Sequence, residues 1–399
     1  MEKEKLNILI VHNYYKLPGG EGIVVENEKK LLEENGHKVF LYTRNNDEID
    51  KYSLIRKIIL PINYLFNIKT YLDIKKLIKK NNIDIIHVHN TINIISKSVY
   101  YAAIKLNVPI VQTIHNFRFI CPNGLLFKQG KICEECISGG LICAIKHKCY
   151  RNSLLETILS VINMKQMRNS KLFNNMNFIC LTEFNKNKLL EINKANKKTL
   201  IKESQIYIKP NFVFNNVINN NNKREDYYVY ASRLDENKGV KFLFQAWKKN
   251  EKLVLYVCGT GELENWCKEF IINNHIKNII LKGNVEHHEL LILISKSKGL
   301  IYPTKLYEGM PMSIIESFSM STPVITVDFG NAGSLVDNGK TGYKYKYNDI
   351  NSFIDSLKKI NNNDLYTNAY NEYQTKYSQK INYDLLLSIY EKVIRKNRQ

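Results

Sequence analysis

No uninterrupted apolar run in this chain approaches the ~18–20 residues of a membrane-crossing helix, so nothing is expected to span a bilayer. The first residues, MEKEKLNILIVHN, put a charged leader before a short apolar run, which reads as a first strand and not as a signal peptide. A cytoplasmic, reducing compartment is therefore expected, and in it the eight cysteines are not expected to form disulfides. A zinc-finger histidine pair, an aromatic RNA-binding motif and an arginine-rich helix are all missing, which ranks nucleic acid last among partners. Acid is scarce as well. With 38 acidic against 58 basic side chains the formal charge is +20, an excess that suits an anionic membrane surface or a polyphosphate substrate.

What is present is a soluble composition, 44% hydrophobic and 24% charged, in 399 residues, too many for one ordinary core. Two domains are the first expectation. Apolar runs alternate with helix-length amphipathic segments nearly throughout, the pattern of an α/β protein with parallel sheets. The first runs are residues 6–12, 38–42, 83–89, 108–115 and 177–182, with helices expected near 21–35, 94–106 and 153–173. Proline and asparagines punctuate IKPNFVFNN (208–216), the best candidate for a hinge. A new alternation starts at Tyr227, and the terminal INYDLLLSIYEKVIRK reads as one amphipathic helix. Residues 51–80 interleave apolar residues with cations. They suit either a surface resting on anionic headgroups or helices packed on the sheet with solvated lysines.

The most informative stretch is YEGMPMSIIESFSM, residues 307–320. A buried strand should run into a loop carrying Glu308 and Gly309, and Glu316 should lie about one turn inside the helix that follows. The first N–H groups of that helix, near Ser313 and Ile314, are unpaired and carry the positive end of its dipole, which suits a phosphate. Upstream, YYVYASRLDENKGVKFLFQAW (227–247) places Arg233 and Lys238 after a strand, where two cations facing the same crevice would clamp a pyrophosphate. Taken singly, each feature has a bland reading as solvated charge. In order, the strand, SRL, Lys-Gly-Val, Cys-Gly-Thr-Gly, LKGNV and the glutamate pair are harder to dismiss.

This series resembles the C-terminal half of the family-4 glycosyltransferases, retaining enzymes of the GT-B fold. The resemblance is strongest over 227–345 and patchier before residue 115. It implies two Rossmann-like α/β domains with parallel sheets facing a central cleft: an acceptor-binding domain over 1–208 and a nucleotide-sugar domain over 209–380. A final helix, 381–399, is implied to cross back onto the first domain. The loop NYYKLPGGEG, whose Gly19 and Gly20 precede a helix, would lie over the donor phosphates, and His115, closing its strand, would touch the donor sugar near its reactive carbon. His87 and His89 on the preceding strand fit equally well as buried strand residues.

Within that frame Glu316 is assigned the ribose hydroxyls, Glu308 with the backbone of Gly309 and Met310 the sugar, and Gly283 in LKGNV the base. No two aspartates sit two apart, so the Asp-x-Asp metal clamp of the other main glycosyltransferase fold is lacking. The diphosphate leaving group is therefore expected to be neutralised by Arg233, Lys238 and helix dipoles, with no catalytic metal. The implied reaction moves a sugar from a nucleotide-diphosphate donor to a saccharide or polyprenyl-lipid-linked acceptor with retention. Synthesis of a surface polysaccharide, lipopolysaccharide or glycolipid is the implied setting, either in the cytoplasm or peripherally on the inner face of the membrane. A sugar-nucleotide epimerase, a phosphorylase and a non-catalytic polyanion-binding protein stand as alternatives.

Five of the cysteines crowd into residues 121–149, with Cys133 and Cys136 at the spacing that lets two thiolates share a tetrahedral zinc. Glycines 124, 130, 139 and 140 give this insert a loop-like character, and a loop without sheet or helix needs a staple. Cys121, Cys133, Cys136 and Cys149 are the expected ligands of a structural zinc, the other reading being free thiols. A subset of the resembling family carries a similar block, His-Asn-x-Arg, Cys-Pro-Asn-Gly, Cys-x-x-Cys, His-x-Cys-Tyr-Arg, in which Cys143 is the optional member.

Overall fold

A computed structural model of the protein describes residues 5–17, 19–214, 224–360 and 362–399. The chain divides into two compact units. The first comprises Met1–Leu125, Glu134–Pro210 and Asn382–Gln399, and the second Leu126–Cys133 and Asn211–Ile381. The expected hinge spans the change of unit, but its residues 215 and 216, and the asparagine run 219–222, lie outside the described residues.

Strands of the first unit are β1 (Asn7–Tyr14), β2 (Lys38–Asn45), β3 (Ile85–Asn90) and β4 (Ile110–Ile114). After a small antiparallel pair, β5 (Phe127–Lys128) and β6 (Lys131–Ile132), come β7 (Met176–Cys180) and β8 (Ile206–Ile208). The six long ones form one parallel sheet in the order β2-β1-β3-β4-β7-β8. Strands covered on both faces read as continuous apolar runs, and in β3, β4 and β7 every residue is buried. Because β2 and β3 flank β1 on opposite sides, the strand order reverses beside β1, opening a crevice at the carboxyl ends of β1 and β3.

The second unit holds β9 (Tyr227–Ala231), β10 (Val254–Cys258), β11 (Ile279–Gly283), β12 (Gly299–Tyr302), β13 (Val324–Val327) and β14 (Gly342–Tyr345). These form a parallel sheet ordered β11-β10-β9-β12-β13-β14, so the reversal falls between β9 and β12. Its core gathers Tyr228, Tyr230, Trp247, Leu255, Ile301 and Ile325, and that of the first unit Leu9, Val11, Ile86, Val88, Ile110 and Phe178.

Two segments differ from the sequence reading. The cysteine-rich stretch is not irregular throughout: besides β5 and β6 it contains the helices Glu135–Ser138 and Ile142–Lys146. Its apolar residues supply the reason, since Cys136, Leu141 and Ala144 pack with Val161 and Met164 of the helix Leu154–Asn169. Residues 51–80, open to two readings, are not uniform. Helix Ile68–Asn81 buries Thr70, Ile74 and Ile78, whereas the preceding helix Leu54–Leu65 has no buried residue.

Candidate functional site

In the second unit the loops leaving β9, β10 and β11 are zipped together by backbone hydrogen bonds. Ser232 N donates to Cys258 O (3.2 Å), Leu234 N to Thr260 O (2.9 Å) and Gly259 N to Gly283 O (2.7 Å). Glycine is required at 239 and 259: both have positive φ, and a Cβ would stand 1.8 Å from Pro303 O and 2.1 Å from Ser232 O respectively. Gly283, at the end of β11, also has positive φ, with open space where a Cβ would lie.

Lys238 and Glu308 meet across the reversal between β9 and β12. The Lys238 ammonium lies 2.9 Å from Glu308 Oε1 and 3.0 Å from Oε2, and Thr304 Oγ1 donates to the same carboxylate at 2.6 Å. Burial pushes this carboxyl up, but Lys238 and the hydroxyls of Thr304 and Tyr302 outweigh it and hold it below its ordinary value. Glu308 adopts a left-handed backbone (φ 56°), uncommon for a side chain of its size. Asn331 fixes that conformation, its Nδ2 donating to Glu308 O at 2.7 Å and its backbone N to Tyr307 O at 2.8 Å.

Gly309 and Met310 continue the loop into the helix Met312–Ser319, which starts at Pro311 with no side-chain cap, leaving the N–H groups near Ser313 and Ile314 for another acceptor. Glu316, inside that helix, is 7% exposed, and His287 Nε2 stands 3.1 Å from its Oε1. That contact, against the opposing effect of burial, raises the histidine. Arg233 is not drawn into this arrangement. It is 56% exposed and pairs with Asp235 at 3.1 Å.

In the first unit the crevice beside β1 holds a buried chain of ionisable groups. His115 Nε2 lies 2.9 Å from His89 Nδ1, and His89 Nε2 faces Glu28 Oε2 at 3.4 Å. Glu28 Oε1 is 2.8 Å from the Lys209 ammonium, and both side chains are fully buried. Burial alone would raise Glu28, yet Lys209, His87 and His89 hold it well below the carboxylate range. His89 thus stands between the two, Nδ1 in hydrogen-bond contact with His115 and Nε2 facing the Glu28 carboxylate. Burial and the neighbouring histidines keep His115 well below its usual value, hence neutral.

His87 has a different part, bridging Tyr390 (2.7 Å) and Thr113 (2.7 Å) inside the core. Among the described residues Glu28, His87 and His89 could together hold a metal ion, but Lys209 already supplies positive charge there. Gly19 and Gly20 open the helix Gly20–Glu34, and nothing lies within 4 Å of a Cβ built at Gly19.

The thiol of Cys136 is pushed up to about 12 by burial and by Cys121, Cys149 and Cys143 nearby. Cys133 follows β6 in the segment grouped with the second unit. No disulfide joins any of the eight cysteines, and thiol sulfurs have the chemistry zinc prefers.

Sequence reasoning missed Glu28, Lys209, His287 and Asn331. A carboxylate on the apolar stripe Val24, Val25, Glu28, Leu31, Leu32 is the signal that could have exposed the first.

Two parallel six-stranded sheets, each with a reversal crevice, define the architecture of the GT-B transferases. The family model "Glycosyl transferases group 1" matches residues 213–380 and "Glycosyltransferase Family 4" matches 18–131. The chain belongs to these glycosyltransferases. It is 26% identical over 309 residues to the UDP-Gal:alpha-D-GlcNAc-diphosphoundecaprenol alpha-1,3-galactosyltransferase of Escherichia coli, covering 75% of this chain and 72% of that one. A glycosyltransferase structure from Rickettsia africae ESF-5 superposes with TM-score 0.68 at 19% identity, over 98% of this chain and 99% of the other. A lipopolysaccharide outer core galactosyltransferase superposes with TM-score 0.64 at 14% identity, over 98% and 99%.

Proposed function

We propose that this glycosyltransferase moves a sugar from a nucleotide-diphosphate donor to a saccharide or lipid-linked acceptor, with retention of configuration, in the building of a surface polysaccharide or glycolipid. The observation that carries the donor half is the Lys238–Glu308 pair at the β9/β12 reversal, beside the uncapped start of the helix Met312–Ser319. A cation and free N–H groups at one sheet edge suit a diphosphate, whose charge grows as the glycosidic bond breaks. In this reading Glu316 accepts from ribose hydroxyls, Gly283 lies beside the base, and Glu308, Gly309 and Met310 hold the sugar. Lys238 and the exposed Arg233 neutralise the departing diphosphate, so no divalent metal is called for. The resemblance gives His115 the sugar's reactive end, where a neutral imidazole can accept a hydrogen bond from a hydroxyl. The acceptor half rests on the E. coli relative, whose name gives a diphosphoundecaprenol-linked sugar as its substrate.

The test is a screen of UDP-, GDP- and ADP-sugars by thermal shift and by release of nucleoside diphosphate, with the anomer of any product read by NMR. One nucleotide series should stabilise the protein and turn over to an anomer matching the donor. Binding without turnover of any nucleotide-sugar, or an inverted product, would contradict the proposal.

A further inference from the structure

A cavity of about 70 Å3 within the first unit is lined by Arg118 and Arg168 together with His115, Asn116, Ser160 and Asn163, and no aspartate or glutamate lines it. Two guanidiniums without a carboxylate in one wall are unusual, because buried charge is normally paired. Arg168 is 5% exposed, and its Nη2 donates to Phe119 O at 3.0 Å and Ile120 O at 3.4 Å. Arg118 reaches Pro122 O at 3.4 Å and lies 5.3 Å over the Tyr150 ring. In both residues Nε is buried without a hydrogen-bond partner. Burial lowers Arg168 only to about 10, so it stays cationic. Glu21, whose charge bears on Arg118, is raised to about 8 by burial and is mostly protonated at neutral pH. Tyr15 adds a hydrogen bond to Arg118 but no carboxylate, so the wall presents two cations to the cavity.

A second hollow of about 340 Å3 shares Tyr64 with this cavity and is lined by Leu60, Pro61, Leu155 and Leu159, with Lys57 and the Arg151–Glu156 pair (3.4 Å) among its other residues. An anion-seeking cavity sharing a wall with an apolar groove fits an amphiphile whose phosphate joins an apolar chain. We infer that the first unit binds a lipid-linked phosphate or diphosphate, its phosphate on Arg118 and Arg168 and its chain in the Leu60–Leu159 groove. This names the acceptor class and rests on the transferase reading above. Guanidinium forks match phosphate oxygens in pairs, whereas a neutral saccharide would leave both cations unpaired.

The test uses the full chain with saturating UDP, so that the nucleotide site cannot take up the probe. Farnesyl diphosphate, inorganic pyrophosphate and farnesol are titrated against the wild type, Arg168→Gln, Arg118→Gln and Leu159→Asp. Farnesyl diphosphate should bind tighter than either fragment. Each arginine variant should weaken it roughly tenfold or more while leaving farnesol unchanged, and Leu159→Asp should weaken farnesol and farnesyl diphosphate together. Hydrogen exchange of the β3 amides, measured on each variant, shows that the first unit stays folded. If farnesyl diphosphate binds no tighter than pyrophosphate, the cavity serves a free phosphate and the lipid assignment falls. Equal affinity in the wild type and both arginine variants overturns the anion site itself. Failure of UDP or any nucleotide-sugar to bind the wild type would instead strike the transferase reading.

Discussion

Lys238 Nζ sits 2.9 Å from Glu308 Oε1, so two residues assigned to opposite parts of one donor neutralise each other across the β9/β12 reversal. Removing the lysine does two things. It deletes a cation from the leaving group, and it leaves Glu308 with the burial that raises its pKa. Lys238→Ala should therefore lower kcat by roughly 10^2–10^3-fold and move the acid limb of the pH–rate profile upward. Steady-state rates between pH 4 and 8 check this, and a lost rate with an unmoved limb would separate the two effects. In the wild type the depressed Glu308 pKa adds stability above the ordinary carboxylate range, which is lost as pH falls through the folded-state value.

A fully buried pair in the first unit, Glu28 and Lys209, invites a double-mutant cycle. Breaking one side of such a pair strands a charge, and Lys209→Met should destabilise the unit by about 3–5 kcal/mol. Glu28→Gln in the same chain should recover much of that. Hydrogen exchange of the β3 amides reads the unit directly, and strictly additive single effects would show that the pair is not coupled.

Glu21 gives the opposite sign. Its pKa is raised to about 8 by burial, so the folded form binds a proton that the unfolded form gives up near its ordinary value of 4.5. Its stabilising contribution is complete below 4.5 and lost as pH rises through about 8. Glu21→Gln should raise Tm at pH 9 and change it little at pH 5. Equal shifts at both values would remove the titration from the explanation.

How much of this could be read from the chain follows from sequence separation. The strand–loop–helix around Glu308 and Glu316 is local, so apolar run, glycine and helical spacing were enough to place both carboxylates. The partners of those groups are not local: Lys238 lies 70 positions from Glu308, and Lys209 lies 181 from Glu28. No periodicity reports such a meeting; only the sheet order brings it about. The helix Leu54–Leu65 was ambiguous for another reason. An apolar stripe looks the same whether it faces a sheet or solvent, and the arrangement of neighbours decides.

That stripe is in fact exposed. Leu54, Ile55, Ile58 and Ile62 are 80%, 70%, 75% and 66% accessible, and Arg56 and Lys57 lie between them. An apolar face flanked by cations suits an anionic bilayer surface. Ile55→Ser with Ile58→Ser should release the protein from vesicles containing phosphatidylglycerol in a co-sedimentation assay, with Tm little changed because the helix buries no residue. Wild-type protein that fails to sediment with those vesicles would refute membrane docking through this helix.

The cysteines around Cys136 supply the last prediction. Burial and the nearby sulfurs of Cys121, Cys149 and Cys143 push its thiol up to about 12, which disfavours a bare thiolate at neutral pH. A divalent cation would reverse that balance, since bound thiols give up their protons to the metal. We therefore expect about one zinc per chain by elemental analysis of protein made in zinc-replete medium. Replacing Cys121, Cys133, Cys136, Cys143 and Cys149 by serine one at a time sorts ligands from bystanders, because loss of a ligand lowers zinc content as well as Tm. UDP binding should survive each change, the nucleotide residues lying in another part of the chain. Zinc-free protein with an unaltered melting curve would leave the five as reduced thiols, Cys136, Cys143 and Cys149 being held by the apolar contacts that also bury Leu141 and Ala144.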